Sequence, residues 1–128
     1  MLNGKKAPLY GNGKQVRDWI FVRYHCKAID LILKKGIIGE TYLIGSKNQK
    51  TNIEIVAHIA KILDMDLEEC VEFIEDRPDH DVRYAINPNN IKEELGWKPH
   101  YSFDEAIRKT CFFLCGTLRF ILRVKFSY

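Results

Sequence analysis

The sequence contains few cysteines, and they are not spaced as metal ligands or as a redox pair. No Cys-x-x-Cys pair occurs, and no paired histidines accompany the cysteines, so a zinc site is not predicted. We expect these residues to act as small apolar side chains in a reducing, cytoplasmic setting. They are Cys26, Cys70, Cys111 and Cys115.

The sequence also lacks a long hydrophobic run. A transmembrane helix needs about 20 apolar residues, and the most apolar stretch, which begins at Cys111, is interrupted by Arg119. We therefore predict no membrane span, and two lysines ahead of a Pro-Leu-Tyr-Gly turn argue against a signal peptide. Residues 111–128 are nevertheless an atypical apolar and basic tail, distinct from residues 1–110, and could contact a membrane or a partner as an amphipathic segment.

Charge is mild overall and uneven along the chain. The net charge of +3 is too small to indicate nucleic-acid binding. Residues 1–35 carry a net +6, residues 36–97 a net −7 and residues 98–128 a net +4. Basic ends around an acidic middle could steer an anionic ligand, although a solvated surface would give the same pattern.

The most informative local feature is the run Asp76-Arg77-Pro78-Asp79-His80-Asp81-Val82-Arg83-Tyr84. Arg77 and His80 are three residues apart, and Pro78 restricts the backbone between them. A guanidinium presents a planar fork of donors that matches phosphate oxygens. The run therefore predicts a rigid hook for an anion.

The periodicity of apolar residues indicates an α/β fold. We predict strands at Asp18–Val22, Thr41–Ile44 and Val71–Ile74. Four helices are predicted between them. The first spans His25–Lys35, and the others follow the N-terminal signals Thr51-Asn52-Ile53-Glu54, Asn87-Pro88 and Ser102-Phe103-Asp104-Glu105.

An ordered series of motifs resembles the NAD-dependent epimerase/dehydratase family of the extended short-chain dehydrogenase/reductase superfamily, and within it the dTDP-glucose 4,6-dehydratases. The motifs extend over about residues 3–110 and include the run at residues 76–84. The others are Pro8-Leu9-Tyr10-Gly11-Asn12-Gly13, Gln15-Val16-Arg17-Asp18-Trp19, His25, Thr51-Asn52 and Ile91-Lys92-Glu93-Glu94-Leu95-Gly96-Trp97.

The resemblance implies both a fold and an activity. The chain would be the C-terminal part of an extended Rossmann-type enzyme, a small nucleotide-sugar-binding domain with a few strands and about four helices. The family activity would be the NAD-dependent conversion of dTDP-glucose to dTDP-4-keto-6-deoxyglucose in deoxysugar biosynthesis, usually by a homodimer. The family match also assigns roles in the binding of the dTDP-sugar. Pro8 and Tyr10 would line the nucleoside pocket, and Arg17 and Arg77 would grip the pyrophosphate.

Two further substrate-binding roles come from the same resemblance. Asn52 would add an amide donor near the start of its helix, where free N–H groups favour an anion, and His80 would assist at the phosphate or ribose. Simpler explanations remain for several of these residues. Arg17 could form a surface ion pair, Tyr10 could be part of the core and His80 could cap a turn.

The sequence departs from the family in what it lacks. It has no Gly-rich dinucleotide-binding fingerprint, and we assign no catalytic Tyr-x-x-x-Lys pair, cofactor site or metal site. The family's N-terminal half is expected to be missing, so these residues alone are predicted to bind no NAD and to be inactive. That half, or a full-length homologue, would then be a partner.

Smaller departures and other interpretations stay open. Asp79 stands where the family usually has Gly, Val82 where it has Arg, and Tyr24 where it has Asp. Asp79 would place a negative charge beside the expected phosphate site. The chain could instead be a fragment of a UDP-sugar epimerase or decarboxylase, a non-enzymatic interaction module, or a decayed gene product with an altered reading frame.

Overall fold

The computed structural model describes residues 4–125, and it describes the side chains as far as Gly116. Within this range four strands and five helices form a mixed α/β fold, which confirms the predicted class. One helix more than expected is present because Asp66 caps a single helical turn, its carboxylate accepting from the Glu68 N–H. The elements are β1 (Ala7–Tyr10), β2 (Val16–Asp18), α1 (Val22–Lys35), β3 (Gln49–Thr51), α2 (Asn52–Leu63), α3 (Leu67–Cys70), β4 (Val71–Ile74), α4 (Asn89–Leu95) and α5 (Phe103–Lys125).

The described strands form two small sheets. β1 and β4 pair in parallel, with Tyr10 opposite Ile74, and β2 and β3 pair in the antiparallel direction, with Val16 opposite Thr51. Val16 also forms a parallel bridge with Arg83. The segment that follows β4 is therefore fixed against β2, and this brings residues 76–84 beside Arg17.

Two apolar clusters form the core, one between helices and one between a helix and a sheet. Tyr24 and Ala28, one turn apart on α1, pack with Ile91 of α4 and with Trp97, and all four are buried. A second cluster joins β1, α2 and β4 through Leu9, Val56 and Val71.

The predicted helix signals are largely confirmed. Thr51 and Glu54 form a reciprocal capping box at the start of α2, and Ser102 and Glu105 bond reciprocally at the start of α5. The predicted helix at His25 begins earlier, at Val22. Asn87 accepts a hydrogen bond from the Asn89 N–H, so α4 begins two residues after the predicted N-cap.

Two of the three predicted strands are wrong. Only Asp18 of the predicted Asp18–Val22 strand is extended in a sheet, since Ile20 and Phe21 instead pack against the first core cluster. Residues 41–44 form no strand, because Tyr42 and Ile44 pack against the same cluster without a neighbouring strand. The third prediction, Val71–Ile74, is confirmed.

The tail and the cysteines only partly follow expectation. Residues 111–125 continue α5, residues 126–128 lie outside the described part of the chain, and none of the described helices is long and apolar enough to cross a membrane. Cys70 and Cys111 are buried, and burial raises the pKa of the Cys111 thiol, but Cys26 is exposed. Residues 4–125 contain no cluster of ligands that could hold a metal ion.

Candidate nucleotide-sugar site

The candidate site lies at the carboxyl ends of the two parallel strands. β1 ends at Tyr10 and β4 at Ile74, and the Gly11 N–H donates to the Ile74 carbonyl over 2.9 Å. Gly11 and Asp79 turn the chain with φ of 56° and 54°. In open α/β sheets this end of the strands is where ligands bind.

Arg17 is held at this end by protein acceptors. Its guanidinium donates to the Val16 carbonyl over 2.7 Å and to the Asp81 carbonyl over 3.0 Å. A third contact, of 3.1 Å, joins it to Nε2 of His80. The guanidinium carbon also lies 4.8 Å from the ring centroid of Tyr84. These contacts order a side chain that would otherwise lose about 2 kcal/mol of rotamer entropy on binding a ligand.

Arg77 is exposed and stacks on Tyr10. Its guanidinium carbon lies 5.0 Å from the centroid of the Tyr10 ring, and the Tyr10 and His80 rings form a T-shaped pair with centroids 5.8 Å apart. Four predicted site residues are thus brought together, and we call Tyr10, Arg17, Arg77 and His80 the arginine cluster.

Asp76 stabilises the arginine cluster through hydrogen bonds, and sequence reasoning did not select it as a site residue. Its carboxylate accepts hydrogen bonds from His80 Nδ1 at 2.6 Å, from the Arg77 N–H at 2.9 Å and from Gln15 Nε2 at 2.9 Å. The bond to His80 is the largest of the effects that lower the pKa of this carboxyl. The spacing of Asp76 and His80, four residues apart within the predicted hook, was the available signal.

Gln15 is the second supporting residue that sequence reasoning passed over. It is only 6% exposed, and its amide nitrogen donates to the Tyr10 carbonyl over 3.1 Å as well as to Asp76. Its buried carbonyl oxygen has no hydrogen-bond partner among the described residues. A buried polar side chain of this kind has no signature in the sequence alone.

Tyr84 and Asp81 are two further residues that contact Arg17 of the cluster. The Tyr84 hydroxyl donates to the Asp81 carboxylate, and this bond raises the pKa of the phenol. The Tyr84 N–H donates to the Val16 carbonyl over 3.0 Å. The backbone of the hook is therefore attached to the strand that carries Arg17.

Two predicted residues form no recorded hydrogen bond, ion pair or ring contact with the arginine cluster in the described part of the chain. Pro8 is exposed on β1, two residues before Tyr10 and hence on the same face of the strand. Asn52 is half-buried at the first position of α2, and its N–H donates to the Gln15 carbonyl over 3.1 Å. Both lie on elements next to the cluster.

One Tyr-x-x-x-Lys spacing is present, from Tyr10 to Lys14, although the sequence analysis assigned no such pair. The residues between them form a turn in which Gly11 and Gly13 have positive φ and the Gly13 N–H donates to the Tyr10 carbonyl. Tyr10 and Lys14 are therefore not on one face of a helix. The same turn leads into β2 and not into a helix, so it does not fit the dinucleotide-binding loop of a Rossmann fold.

Comparison with known proteins settles the family. The profile of the GDP-mannose 4,6 dehydratase family matches residues 1–110. The chain belongs to the GDP-mannose 4,6 dehydratase family. Among curated proteins, this family member is 45% identical to dTDP-glucose 4,6-dehydratase of Xanthomonas campestris pv. campestris over 117 residues, which is 85% of this chain and 33% of the relative.

Solved structures agree with this assignment to the GDP-mannose 4,6 dehydratase family. dTDP-glucose 4,6-dehydratase from Bacillus anthracis, in complex with NAD, is 46% identical with a TM-score of 0.79, over 86% of this chain and 34% of that one. The enzyme DesIV from Streptomyces venezuelae, a dTDP-glucose 4,6-dehydratase solved with NAD and TYD bound, is 37% identical with a TM-score of 0.81 over the same shares. The chain spans about a third of the length of these relatives.

Proposed function

We propose that the arginine cluster binds the diphosphate of a dTDP-sugar and that this chain is the substrate-binding part of a dTDP-glucose 4,6-dehydratase. The observation that carries the proposal is the convergence of two guanidinium groups and one imidazole at the carboxyl ends of β1 and β4. Identity above 40% to a dTDP-glucose 4,6-dehydratase supports it.

The hydrogen-bonding capacity of Arg17 suits this role. A guanidinium has five N–H donors, and three contacts of Arg17 use its two terminal nitrogens. Donors therefore remain for a ligand while the group is held in place. A hydrogen bond between a guanidinium and a phosphate contributes about 1.5–3 kcal/mol, so Arg17 and Arg77 together would dominate the affinity.

Tyr10 gives the site a surface for the nucleoside. It is 37% exposed, and its ring is contacted by Arg77 on a face and forms a T-shaped pair with the His80 ring. An aromatic ring held in this way can pack against a ribose or a base while the adjacent cations hold the diphosphate. Pro8, on the same face of β1, extends this apolar surface.

NAD chemistry is not assigned to these residues. The described chain offers no strand–Gly-rich loop–helix unit for a dinucleotide, and its Gly11–Gly13 turn joins two strands. We propose that its part in the dehydratase reaction is to bind and orient dTDP-glucose for residues elsewhere in the enzyme.

The test is calorimetric titration of the purified chain with dTDP, UDP and inorganic pyrophosphate. We expect dTDP to bind most tightly, and Arg17→Ala and Arg77→Ala each to weaken it by about tenfold or more, since each removes charge-assisted hydrogen bonds. Arg108→Ala is the matched control, because Arg108 is an exposed arginine on α5 and outside the cluster.

The relative affinities for dTDP, UDP and pyrophosphate distinguish the proposed function from its alternatives. Equal affinity for dTDP and UDP would exclude selection between the two nucleotides, and tighter binding of UDP would favour a UDP-sugar enzyme. Equal affinity for pyrophosphate would reduce the site to a general anion site. A folded chain that binds none of the three ligands, or that loses affinity equally in Arg108→Ala, would overturn the proposal.

A further inference from the structure

His80 lies between an acceptor and a donor that are both unambiguous. Its Nδ1 is 2.6 Å from the Asp76 carboxylate, and its Nε2 is 3.1 Å from the Arg17 guanidinium. The side chain of His80 is only 7% exposed, so water has little access to either nitrogen. The two neighbours therefore determine how the imidazole is protonated.

The hydrogen-bonding capacity of these neighbours permits one arrangement. An ionised carboxylate only accepts, and a guanidinium only donates. Nδ1 must therefore carry a hydrogen for Asp76, while Nε2 must present a lone pair to Arg17. His80 is consequently a neutral imidazole in the Nδ1–H tautomer, a state that the hydrogen bond at the other nitrogen fixes.

Gln15 fixes the carboxylate in turn. Its amide nitrogen faces two acceptors, the Tyr10 carbonyl and the second oxygen of Asp76, so the orientation of the amide is also determined. Gly11 leaves the space for this carboxylate, since a Cβ at Gly11 would come within 2.8 Å of an Asp76 oxygen. A continuous chain of hydrogen bonds thus runs from Gln15 through Asp76 and His80 to Arg17.

We propose that Gln15 and Asp76 are positioning residues, which hold His80 in its Nδ1–H tautomer so that Nε2 fixes Arg17 for the diphosphate. The effect on ligand affinity rests on the proposed function. The tautomer itself does not, because it is a property of the protein without ligand. Gln15 and Asp76 would act on the ligand only through His80 and Arg17.

The experiment has two readouts on the purified 128-residue chain. Nitrogen-15 NMR of the ligand-free protein reports which ring nitrogen of His80 carries hydrogen. Calorimetry with dTDP reports affinity. The variant is Asp76→Asn, and the matched control is Asp79→Asn, which removes the same charge from the same loop without a described bond to His80.

We expect wild-type His80 and the Asp79→Asn protein to show only the Nδ1–H tautomer. In Asp76→Asn an NH2 donor replaces one of the two oxygens that accept separately from His80 and Gln15. With Gln15 keeping the remaining oxygen, the NH2 donates to Nδ1, so the Nε2–H tautomer should appear. Affinity for dTDP should fall about tenfold, as for a weakened charge-assisted contact. Asp79→Asn should not lower the affinity, since it only removes a negative charge that repels the diphosphate.

Several results would overturn the proposal. The Nε2–H form in the wild-type protein would do so without any variant, which protects the test if Asp76→Asn fails to fold. A changed tautomer with unchanged affinity would separate Asp76 from the binding of the diphosphate, and a loss of affinity with an unchanged tautomer would exclude action through His80. If the wild-type protein binds no dTDP, the proposed function fails, and the tautomer measurement still decides the role of Asp76 towards His80.

Discussion

The guanidinium of Arg77 covers a face of the Tyr10 ring at 5.0 Å, and this contact links the carboxyl ends of β1 and β4. Tyr10 is the last residue of β1, and Arg77 follows β4 by three positions. The same ring forms a T-shaped pair with His80. An aromatic side chain thus orders one of the two cations without occupying its hydrogen-bond donors.

The contact between Arg77 and Tyr10 predicts that two substitutions of Tyr10 lower the affinity for dTDP to different degrees. Replacement with Leu removes the ring, and an exposed cation–π contact contributes about 0.5–1 kcal/mol, so affinity for dTDP should fall about two- to fivefold. Tyr10→Phe keeps the ring and should lose less. Calorimetry of both variants at one ionic strength checks the order, and an equal loss in the two would assign the effect to the phenol hydroxyl.

The backbone conformation of Gly11 leads to a second prediction, which concerns the free energy of unfolding. Its φ is +56°, and a Cβ there would lie 2.8 Å from an Asp76 oxygen. Gly11→Ala should therefore combine left-handed strain, about 1–2 kcal/mol, with displacement of Asp76. Gly96→Ala is the control, because Gly96 has φ +68° with no atom within 4 Å.

Urea unfolding should show a larger loss of unfolding free energy in Gly11→Ala than in Gly96→Ala. Only the first variant should also weaken dTDP binding. Equal losses of stability in the two proteins would mean that the Asp76 carboxylate is free to move away.

Local signals in the sequence predicted the helix ends because those ends are determined by neighbouring residues. Thr51 and Glu54 satisfy each other's backbone N–H groups, and Gly96 takes the left-handed conformation that ends α4. Neither feature depends on distant parts of the chain.

The strands were predicted poorly because their partners are remote in sequence. β2 exists where Val16 can pair with Thr51 and Arg83, while the more apolar residues Ile20 and Phe21 lie outside any strand and fill the core. Three short strands, β1, β2 and β3, have no periodicity long enough to identify them without knowledge of those partners.

The site was predicted in part for a related reason. Arg17 and His80 are 63 residues apart, so only the family resemblance could place them together. The hook itself was visible as a local run of residues. Gln15 was passed over because its importance comes from burial and from two hydrogen bonds, to Tyr10 and Asp76, that no local pattern encodes.

The capping box predicts a pH dependence. Hydrogen bonds from Thr51 lower the pKa of Glu54. Because the folded-state pKa is lower than the unfolded one, this stabilisation is complete above the unfolded value, about 4.3, and is lost as pH falls through the folded value. The free energy of unfolding should therefore decrease with acid more steeply in wild type than in Glu54→Gln.

Urea unfolding of the two proteins between about pH 3 and pH 6 measures this difference. At neutral pH, Thr51→Ala should lower the free energy of unfolding by about 0.5–2 kcal/mol, the usual contribution of an N-cap residue. Parallel acid curves for wild type and Glu54→Gln would contradict the assignment.

We also expect the purified 128-residue chain, supplied with NAD and dTDP-glucose, to form no dehydrated product. Its sequence has no Gly-rich dinucleotide loop, and its one Tyr-x-x-x-Lys spacing lies in the turn after Tyr10. Mass spectrometry would detect the loss of water from the sugar nucleotide. A single turnover by pure protein would disprove this expectation.

Substitutions at Asp79 and Asp64 separate the effect of backbone strain on dTDP affinity from the effect of the Asp79 charge. It has φ +54° at the turn of the hook, and Asp64 has φ +55° at the C-terminus of α2. α2 has 12 residues and is about 18 Å long, and its other end contacts Gln15, so Asp64 is remote from the arginine cluster. Glycine at either position removes the same left-handed strain, while only Asp79→Gly removes a negative charge beside Arg77 and His80.

Asp79→Gly should therefore raise the affinity for dTDP by about two- to fivefold, as expected for one partly screened charge, and Asp64→Gly should leave it unchanged. The gain should shrink as salt is added, since screening weakens the repulsion that the variant removes. The two variants should change the free energy of unfolding by similar amounts, because the backbone conformations match. A gain in affinity that persists at high salt would show that Asp79 acts through the shape of the turn and not through its charge.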